Sequence, residues 1–341
     1  MRKKAVSMED VAKAAGVSKM TVSRVLNQPS LVSPITRAHV EAAMAALSYV
    51  APNRSQKRPK TTSGLIALLV TDLTNPFFTN VAMGVEDVAY KAGYTVVLCN
   101  SDEQYTKEYE FLQSLVMHKV DGAILVPAND NSKAHLRILD RHNVPFVLCD
   151  RRLPGVNCDM VVADSVTGAK ELTKHLIEQG YRRIAFIGAG SSISTSRERQ
   201  SGYATALKEN GIPVDPDLIV NVGYRTPDGA TAFNILLDRG RKFDSIVAAN
   251  NALALGIAQR ARDLGLSIPK DFGLVCFDEA SGLYGPLDPF FTVAAQPAID
   301  FGTIAAQMLI ERIEGKAPKR PREVILMPKI IVRKSSTPLG S

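Results

Sequence analysis

The spacing of apolar positions differs between the first 50 residues and the rest of the chain. At the amino end they recur every three or four residues, which is the period of a helix with one buried face. Gly16 follows the first such run and is typical of a helix end. Ser18 and Ser33 then stand where the side-chain caps of two further helices are expected, the second of them followed by Pro34 at its first position. The pattern predicts three short helices whose apolar positions are Met8, Val11, Ala12 and Ala15; then Val22, Val25 and Leu26 within 19–26; then Val40, Ala43, Met44 and Leu47.

From residue 65 onward, short apolar runs alternate with helical stretches. Such runs are typical of parallel strands buried on both faces. Four come first, at 65–70, 95–100, 122–127 and 145–150, and five follow, at 160–164, 183–188, 218–223, 244–250 and 272–277. The intervening helices are expected at 78–92, 107–118, 166–179, 198–210, 227–237 and 252–264. Two successive sets of similar length predict two α/β lobes, each a doubly wound sheet.

Composition narrows the class of protein. The 341 residues are 45% hydrophobic, and no apolar run approaches the roughly 18–20 residues that span a bilayer. The start of the chain lacks the apolar segment of a secretory signal. Four scattered cysteines, without a Cys-x-x-Cys pair, favour a reduced cytoplasmic protein with neither a metal site nor a disulfide framework.

The net charge of +7 belongs to the amino end. Residues 1–63 carry eleven Lys and Arg against three acids, whereas the remainder carries 30 basic and 31 acidic residues. A basic head on a nearly neutral body indicates a polyanionic partner, because neutralising phosphates drives affinity for nucleic acid. Three helices, the first two joined by a tight turn, describe a helix-turn-helix, in which the second helix enters the major groove of DNA.

The head resembles the DNA-binding domain of the lactose/galactose-repressor (LacI/GalR) family. The resemblance is carried by "MEDVAKAAGVSKMTVSRVLN", the later "VSPITR" and "LSYVAPNR", and it extends through the remaining chain. It implies a small all-α helix-turn-helix head at 1–52, a hinge or linker at 53–64, and an α/β periplasmic-binding-protein-like body of two doubly wound lobes at 65–341. The N-lobe is expected at about 65–161 and 292–322, and the C-lobe at about 162–291 and 323–341.

By this resemblance, the second helix reads the operator. Arg24 suits a bidentate contact to guanine, Lys19 either a base or a phosphate, and Met20 a thymine methyl. The polar side chains around them are better placed for phosphates, which fix register rather than sequence. That group comprises Ser18, Thr21, Ser23 and Asn27.

The linker departs from the family pattern. Family members form a short hinge helix on DNA with a leucine in the minor groove, whereas this chain has Pro59 at that place. Proline inside a short helix is costly. The alternatives are a shorter hinge helix ending by Arg58, no helix, or a flexible basic linker whose cations contact phosphates; Pro59 could itself serve as a wedge. The DNA-contacting candidates here are Arg54, Lys57, Arg58 and Pro59.

The body's resemblance implies an effector site in the cleft between the lobes. Ligands of open parallel sheets bind beyond the carboxyl ends of the strands, and polar candidates follow several predicted strands. They are Asn75, Phe77 and Phe78 after the first strand, Asp150 and Arg151 after the fourth, then Arg199, Asn250, Asp278 and Gln296. The place after Asn250 is usually Asp in the family but is Asn251 here. Arg151 and Arg199 could together hold a carboxylate, and "KMTVSR" resembles gluconate-responsive members, so both a sugar acid and a neutral sugar are open.

Other classes of protein fit less well. The "GAGSS" segment at 188–192 lacks the third glycine of a dinucleotide loop, no nucleophile elbow occurs, and no histidine pair has metal-ligand spacing. A sugar-metabolising enzyme is therefore disfavoured, and the basic head argues against a secreted sugar-binding protein. The sequence predicts a cytoplasmic repressor without cofactor or membrane partner, acting as a homodimer on a pseudo-palindromic double-stranded operator and responding to a sugar or sugar acid.

Overall fold

The computed structural model describes residues 6–49, 63–279 and 290–337. The chain divides into two units, 1–59 and 60–341, and each is considered by itself. No helix among the described residues is both long and apolar enough to cross a membrane. The linker candidates Arg54, Lys57, Arg58 and Pro59 lie outside the described residues, so the expectations for them stay predictions.

The amino-terminal unit contains the three expected helices, which are α1 (Met8–Ala15), α2 (Lys19–Asn27) and α3 (Pro34–Ala46). Ser7 caps α1, and Gly16 ends it in the left-handed region at φ 64°. Ser18 and Ser33 cap α2 and α3 by accepting from backbone amides. The apolar stripes of all three helices meet in one small core, comprising Val11, Ala12, Val22, Val25, Val40 and Ala43.

The body alternates strands and helices. In chain order these are β1 (Leu65–Val70), α4 (Pro76–Lys91), β2 (Thr95–Asn100), α5 (Tyr105–Met117), β3 (Gly122–Leu125), α6 (Lys133–Arg141), β4 (Phe146–Asp150), β5 (Asp159–Ala163), α7 (Ser165–Glu178), β6 (Ile184–Ala189), α8 (Ser194–Glu209), β7 (Ile219–Val222), α9 (Thr226–Asp238), β8 (Ser245–Ala248), α10 (Asn251–Asp263), β9 (Gly273–Phe277), β10 (Thr292–Ala295), α11 (Ala298–Ile313), β11 (Glu323–Leu326) and β12 (Lys329–Ile331). Short 3₁₀ turns occupy Pro29–Leu31, Asp130–Ser132, Pro216–Leu218 and Lys334–Ser336.

The strands form two six-stranded sheets, which confirms the expected architecture of two α/β lobes. The first has the order β11-β5-β4-β3-β1-β2 and the second β12-β10-β9-β8-β6-β7. All neighbours pair in parallel except β10 and β12. Each sheet is covered by helices and has its own apolar core, so each lobe is stabilised independently.

The boundaries between the lobes differ from those expected. The run 160–164 was expected to open the second lobe, but β5 pairs with β4 in the first sheet. Likewise β10 belongs to the second sheet and β11 to the first. The chain therefore crosses between lobes near 164, 296–297 and 327–328, a few residues beyond the expected positions. The error has a physical cause, because a buried apolar run is equally suited to either sheet and only pairing decides its place.

Helix α11 joins the first lobe by packing closely on α4. A β-carbon at Gly302 would lie 2.0 Å from the Val81 carbonyl oxygen, and one at Gly84 would lie 2.2 Å from that of Ile299. Only glycine permits two backbones to approach so closely. This packing carries the chain back from the second lobe to the first, where α11 covers β3, β4 and β5 beside α4.

Candidate functional site

Two aspartates occupy corresponding places in the two sheets. Asp150 ends β4, and Asp278 follows β9, each on the third strand of its sheet. Both backbones adopt positive φ, 66° and 69°, which is uncommon outside glycine and costs free energy. Both side chains are buried. Parallel strands that end at facing edges thus bring one carboxyl group from each lobe to the cleft.

Two amides at helix starts join them. Asn75 caps α4 and accepts from the Phe77 amide at 3.0 Å, while Asn250 caps α10 and accepts from the Leu253 amide at 2.8 Å. Asn251 links the lobes, because its Nδ2 donates to Asn75 Oδ1 at 3.1 Å. An uncharged amide at position 251 can donate this hydrogen bond, which an aspartate cannot.

Arg199 lies on α8, and its guanidinium is hydrogen-bonded on one edge and, within the described part of the chain, without hydrogen-bond partners on the other. Its Nη1 donates to the Ala249 carbonyl at 2.5 Å and lies 3.9 Å from Asp278 Oδ2, and its guanidinium lies 4.0 Å from the centre of the Phe277 ring. Among the described residues its Nε and Nη2 have no hydrogen-bond partner, although they are buried. Buried donors without partners are uncommon and suit a ligand's acceptors.

Arg151 is also buried, and both of its Nη atoms are occupied, whereas its Nε has no hydrogen-bond partner among the described residues. Glu103 accepts from both Nη atoms, at 2.8 and 2.7 Å. Nη1 also donates to the carbonyls of Pro127 and Ala128, at 3.1 Å each. The expectation that Arg151 and Arg199 act together on a ligand carboxylate is therefore not met in this geometry, because Arg151 already has one.

The remaining candidates lie beside these groups. Phe77 and Phe78 pack edge to face with ring centroids 5.1 Å apart, and Phe77 packs on Phe301 as well. Gln296 donates from Nε2 to Asp278 Oδ1 at 2.5 Å. It does not line the same space as the others but an outer pocket of about 460 Å³ next to it.

The inner space is a small cavity. Its volume is about 20 Å³, far below the roughly 300–1,000 Å³ of small-molecule sites, so a sugar enters only after the lobes part. The expected residues around it are Asn75, Phe77, Phe78, Asp150, Arg151, Arg199, Asn250 and Asp278, joined by four that the sequence reasoning missed, Asp72, Glu103, Thr195 and Tyr224. Asp72, Glu103 and Tyr224 follow β1, β2 and β7 by two or three residues, so the rule of strand ends, applied to every strand, would have found these three. Thr195 lies in the first turn of α8.

Burial dominates the electrostatics of the cavity. It raises the pKa of Asp150 from its ordinary 3.8 to about 6, against the opposing effect of Arg199 and Arg151. Burial also raises the pKa of Asp278, although Arg199 and the hydrogen bond from Gln296 lower it. Groups whose pKa is shifted by burial beside specific charges are characteristic of functional sites.

Polar contacts around the cavity hold the two lobes together. The Asp130 amide donates to the Ser192 carbonyl at 2.9 Å, and Arg197 lies 3.0 Å from the Asp130 carboxylate. Arg152 reaches Glu198 at 2.9 Å, and Arg225 pairs with Asp102. Each pair spans the cleft, so the lobes are closed on each other.

The head presents a second candidate surface on α2. Lys19, Met20 and Arg24 are exposed, and 67% of Met20 is accessible. Ser18 caps the helix and lies 2.9 Å from Thr21 Oγ1, while Asn27 donates to the Ser23 carbonyl. The exposed face is therefore flanked by ordered polar side chains, which is a suitable arrangement for a groove of DNA.

Comparisons with known proteins agree with both units. The family model of bacterial regulatory proteins, lacI family, matches residues 7–53, and the model of periplasmic binding proteins and the sugar binding domain of the LacI family matches residues 63–333. The ribose operon repressor of Halalkalibacterium halodurans is 34% identical, with 97% of each chain covered. The transcriptional regulator KdgR of Bacillus subtilis is also 34% identical over 96% of this chain and 97% of its own.

Solved structures show the same relationship. A complex of the transcriptional regulator CelR with cellobiose is 30% identical with a TM-score of 0.73, and 97% of this chain and 99% of that one are covered. A LacI family regulator from Enterococcus faecium with bound ribose is 28% identical with a TM-score of 0.70, over 81% of this chain and 99% of its own.

The raised pKa of Asp150 predicts the effect of Asp150→Asn on stability. The folded state takes up a proton between about pH 4 and 6, so wild-type stability falls as pH rises through that range. At pH 7 the free energy of unfolding of Asp150→Asn should exceed that of the wild type by on the order of 2–3 kcal/mol. Asparagine also tolerates the positive φ at this position. Urea denaturation at pH 4 to 8 measures this.

The exposed Asp140→Asn serves as the matched control and should show no such gain. A difference between wild type and Asp150→Asn that is the same at pH 4 and pH 7 would contradict the assignment of the penalty to the buried carboxylate.

Proposed function

Because the chain belongs to the LacI family of bacterial regulatory proteins, we propose that it represses transcription by binding an operator whose affinity a small effector modulates. One observation carries the proposal. A single chain combines a helix-turn-helix with an exposed, basic second helix and a two-lobed body whose cleft holds buried polar groups without partners. Reading DNA and sensing a ligand are therefore joined in one molecule, in the cytoplasm where the chromosome lies.

We assign operator reading to α2. Arg24 and Lys19 are the cations on its exposed face, suited to guanine edges, and Met20 is suited to a thymine methyl. Ser18, Thr21, Ser23 and Asn27 would hold phosphates and set the register. The basic residues Arg54, Lys57 and Arg58 with Pro59 would add contacts along the backbone or in the minor groove.

We assign effector binding to the cleft. The candidate residues supply acceptors from Asp150 and Asp278, donors from Arg199, and rings from Phe77 and Phe78. This set suits hydroxyl groups, which both donate and accept. Relatives whose names or bound ligands include ribose and cellobiose support a sugar, and a sugar acid such as gluconate has the same hydroxyl pattern.

We also propose a homodimer, whose two heads would meet a pseudo-palindromic operator. An exposed apolar groove of about 760 Å³ lies between α4, β2 and α11, and a second copy of this chain is its proposed occupant. Met83, Leu98 and Ile299 line it with 62%, 44% and 51% of each side chain accessible. A surface of that kind on one lobe suits a protein partner.

Effector and operator would then be coupled through the angle between the lobes. A sugar cannot fit the closed cavity, so its binding changes that angle, and the change is transmitted along the paired first lobes to the heads. The coupling is reciprocal, because an effector that weakens operator binding is itself bound more weakly on the operator. Operator titration with and without candidate sugars, by fluorescence anisotropy, tests the whole proposal.

Replacing Arg24 by Ala should relax operator specificity. Loss of a bidentate guanine contact costs roughly 1–3 kcal/mol, and the discrimination against substitutions at one operator position should disappear. Binding to a set of single-base operator variants measures this. Arg37→Ala, which removes a head cation paired with Glu41 on α3, is the control and should weaken all sequences alike. Unchanged discrimination in Arg24→Ala would place the reading elsewhere.

Replacing Asp278 by Asn should abolish the effector response and leave operator affinity nearly intact. The variant keeps the positive φ and a partner for Gln296 but loses the charge beside Arg199. Operator titrations at saturating effector measure the response, with the exposed Asp263→Asn as control. A normal response from Asp278→Asn would move the effector site away from this cleft.

Replacing Met83 by Glu should separate the dimer. A charge in the centre of an apolar interface is left without compensation, so sedimentation velocity should give a monomer and operator affinity should fall by at least about tenfold. Met117→Glu, at a methionine on α5 with 73% of its surface accessible, is the control. A dimer that survives Met83→Glu would exclude this groove as the interface.

A further inference from the structure

The guanidinium of Arg151 is fixed as well as occupied. Ala128, one of the two residues whose carbonyls hold Nη1, is itself anchored, because its amide donates to Glu108 Oε2 at 2.7 Å. Glu108 is buried and also accepts from Ser132 Oγ and His135 Nδ1. Both Nη atoms of Arg151 therefore lie among fixed acceptors, although the residue lines the cavity.

Glu103 is held equally firmly. It follows Asp102, and the φ values of the two residues, 60° for Asp102 and 58° for Glu103, are uncommon for residues other than glycine. The Asp102 carbonyl accepts from Arg225 of the other lobe at 2.7 Å. The turn thus aims Glu103 at Arg151, where both oxygens are used in a bidentate pair, the strongest type of charged hydrogen bond.

The consequence is an imbalance of charge around the cavity. Four carboxylates line it, against two guanidinium groups. Glu103 compensates Arg151, whose Nη atoms are both occupied and whose unpartnered Nε lies 3.9 Å from Asp150 Oδ2. Among the described residues, Arg199 keeps two guanidinium nitrogens without partners, Nε and Nη2, and Asp278 lies beside it. On the opposite side, Asp150 Oδ1 is buried without a donor. A ligand that satisfies both groups must donate a hydrogen bond to Asp150 and accept one from Arg199.

We propose that Glu103 is the specificity-determining residue of the cleft, which excludes acidic ligands by neutralising Arg151 and so selects neutral polyhydroxylated ones. Hydroxyl groups satisfy Asp150 and Arg199 together, since each both donates and accepts. A ligand carboxylate would add a fifth acid to a closed, weakly screened space. This inference rests on the proposed function, namely that the cleft binds the effector.

The test compares neutral compounds with their matched acids. Isothermal titration calorimetry of the full-length protein would use D-glucose and D-glucuronate, D-galactose and D-galacturonate, D-glucitol and D-gluconate, D-ribose and D-ribonate, and cellobiose and cellobionate. In every pair that binds, the neutral compound should bind at least about tenfold more tightly, because like charges placed together in a buried site are strongly disfavoured.

Glu103→Gln supplies the decisive variant. Glutamine has nearly the same shape and still accepts one hydrogen bond from Arg151, but it leaves the positive charge uncompensated. The ratio of acid to neutral affinity should rise by about tenfold or more. Glu110→Gln makes the same chemical change at an exposed position on α5 and should leave the ratio unchanged. Adding Arg151→Gln to Glu103→Gln should remove the gain.

The outcomes separate the two proposals. A wild-type protein that binds an acid as tightly as its neutral partner overturns the role of Glu103 and leaves effector binding standing. A folded Glu103→Gln protein with an unchanged ratio overturns it as well. If Glu103→Gln does not fold, the wild-type ratios decide. Binding of no compound at millimolar concentration, by wild type or variant, overturns the effector half of the proposed function, and this inference with it.

Discussion

Ionisable side chains buried between two sheets are the constraint on which the body depends. Burying a charge is costly unless it is paired and hydrogen-bonded, and here Asp150, Asp278, Arg151 and Arg199 are all nearly inaccessible. Parallel strands make this arrangement possible, because every strand of a lobe ends at the same edge. The two edges face each other, so each charge finds counter-charges within its own lobe or across the cleft.

The four charges are not satisfied to the same degree. Both Nη atoms of Arg151 have acceptors among the described residues, and only its Nε lacks one there. Arg199 keeps an edge of its guanidinium without partners, and Asp150 keeps an oxygen without a donor. The pKa of Asp150, raised to about 6, indicates the same incomplete compensation. Incomplete compensation is a cost that a stable scaffold avoids and a binding site retains, because a ligand then removes it.

Much of this could be predicted from the sequence, for local reasons. Ser18 and Ser33 cap helices that start at the expected residues, Lys19 and Pro34, and Gly16 ends the first helix by its own conformational freedom. Eight of the nine cleft residues implied by the family resemblance lie around one cavity. The predictions that failed depended on contacts between residues far apart in the chain. The run 160–164 joined the other sheet by pairing with β4, and the pairing of Glu103 with Arg151 joins residues 48 positions apart in the chain.

The contacts that close the lobes explain why a small ligand could control this structure. They are polar, and the charged pairs among them lie at the edge of the cleft, as in Arg152 with Glu198 and Arg197 with Asp130. Partly exposed pairs of this type contribute roughly 0–1 kcal/mol each, so each adds little to the stability of the closed form. A ligand shifts such an equilibrium by its differential affinity, and about 5.5 kcal/mol is enough to convert a 1:99 population to 99:1. Because the contacts at the edge of the cleft are weak, ligand binding in the cavity decides between the open and closed forms. The unpaired groups of Asp150 and Arg199 lie in that cavity.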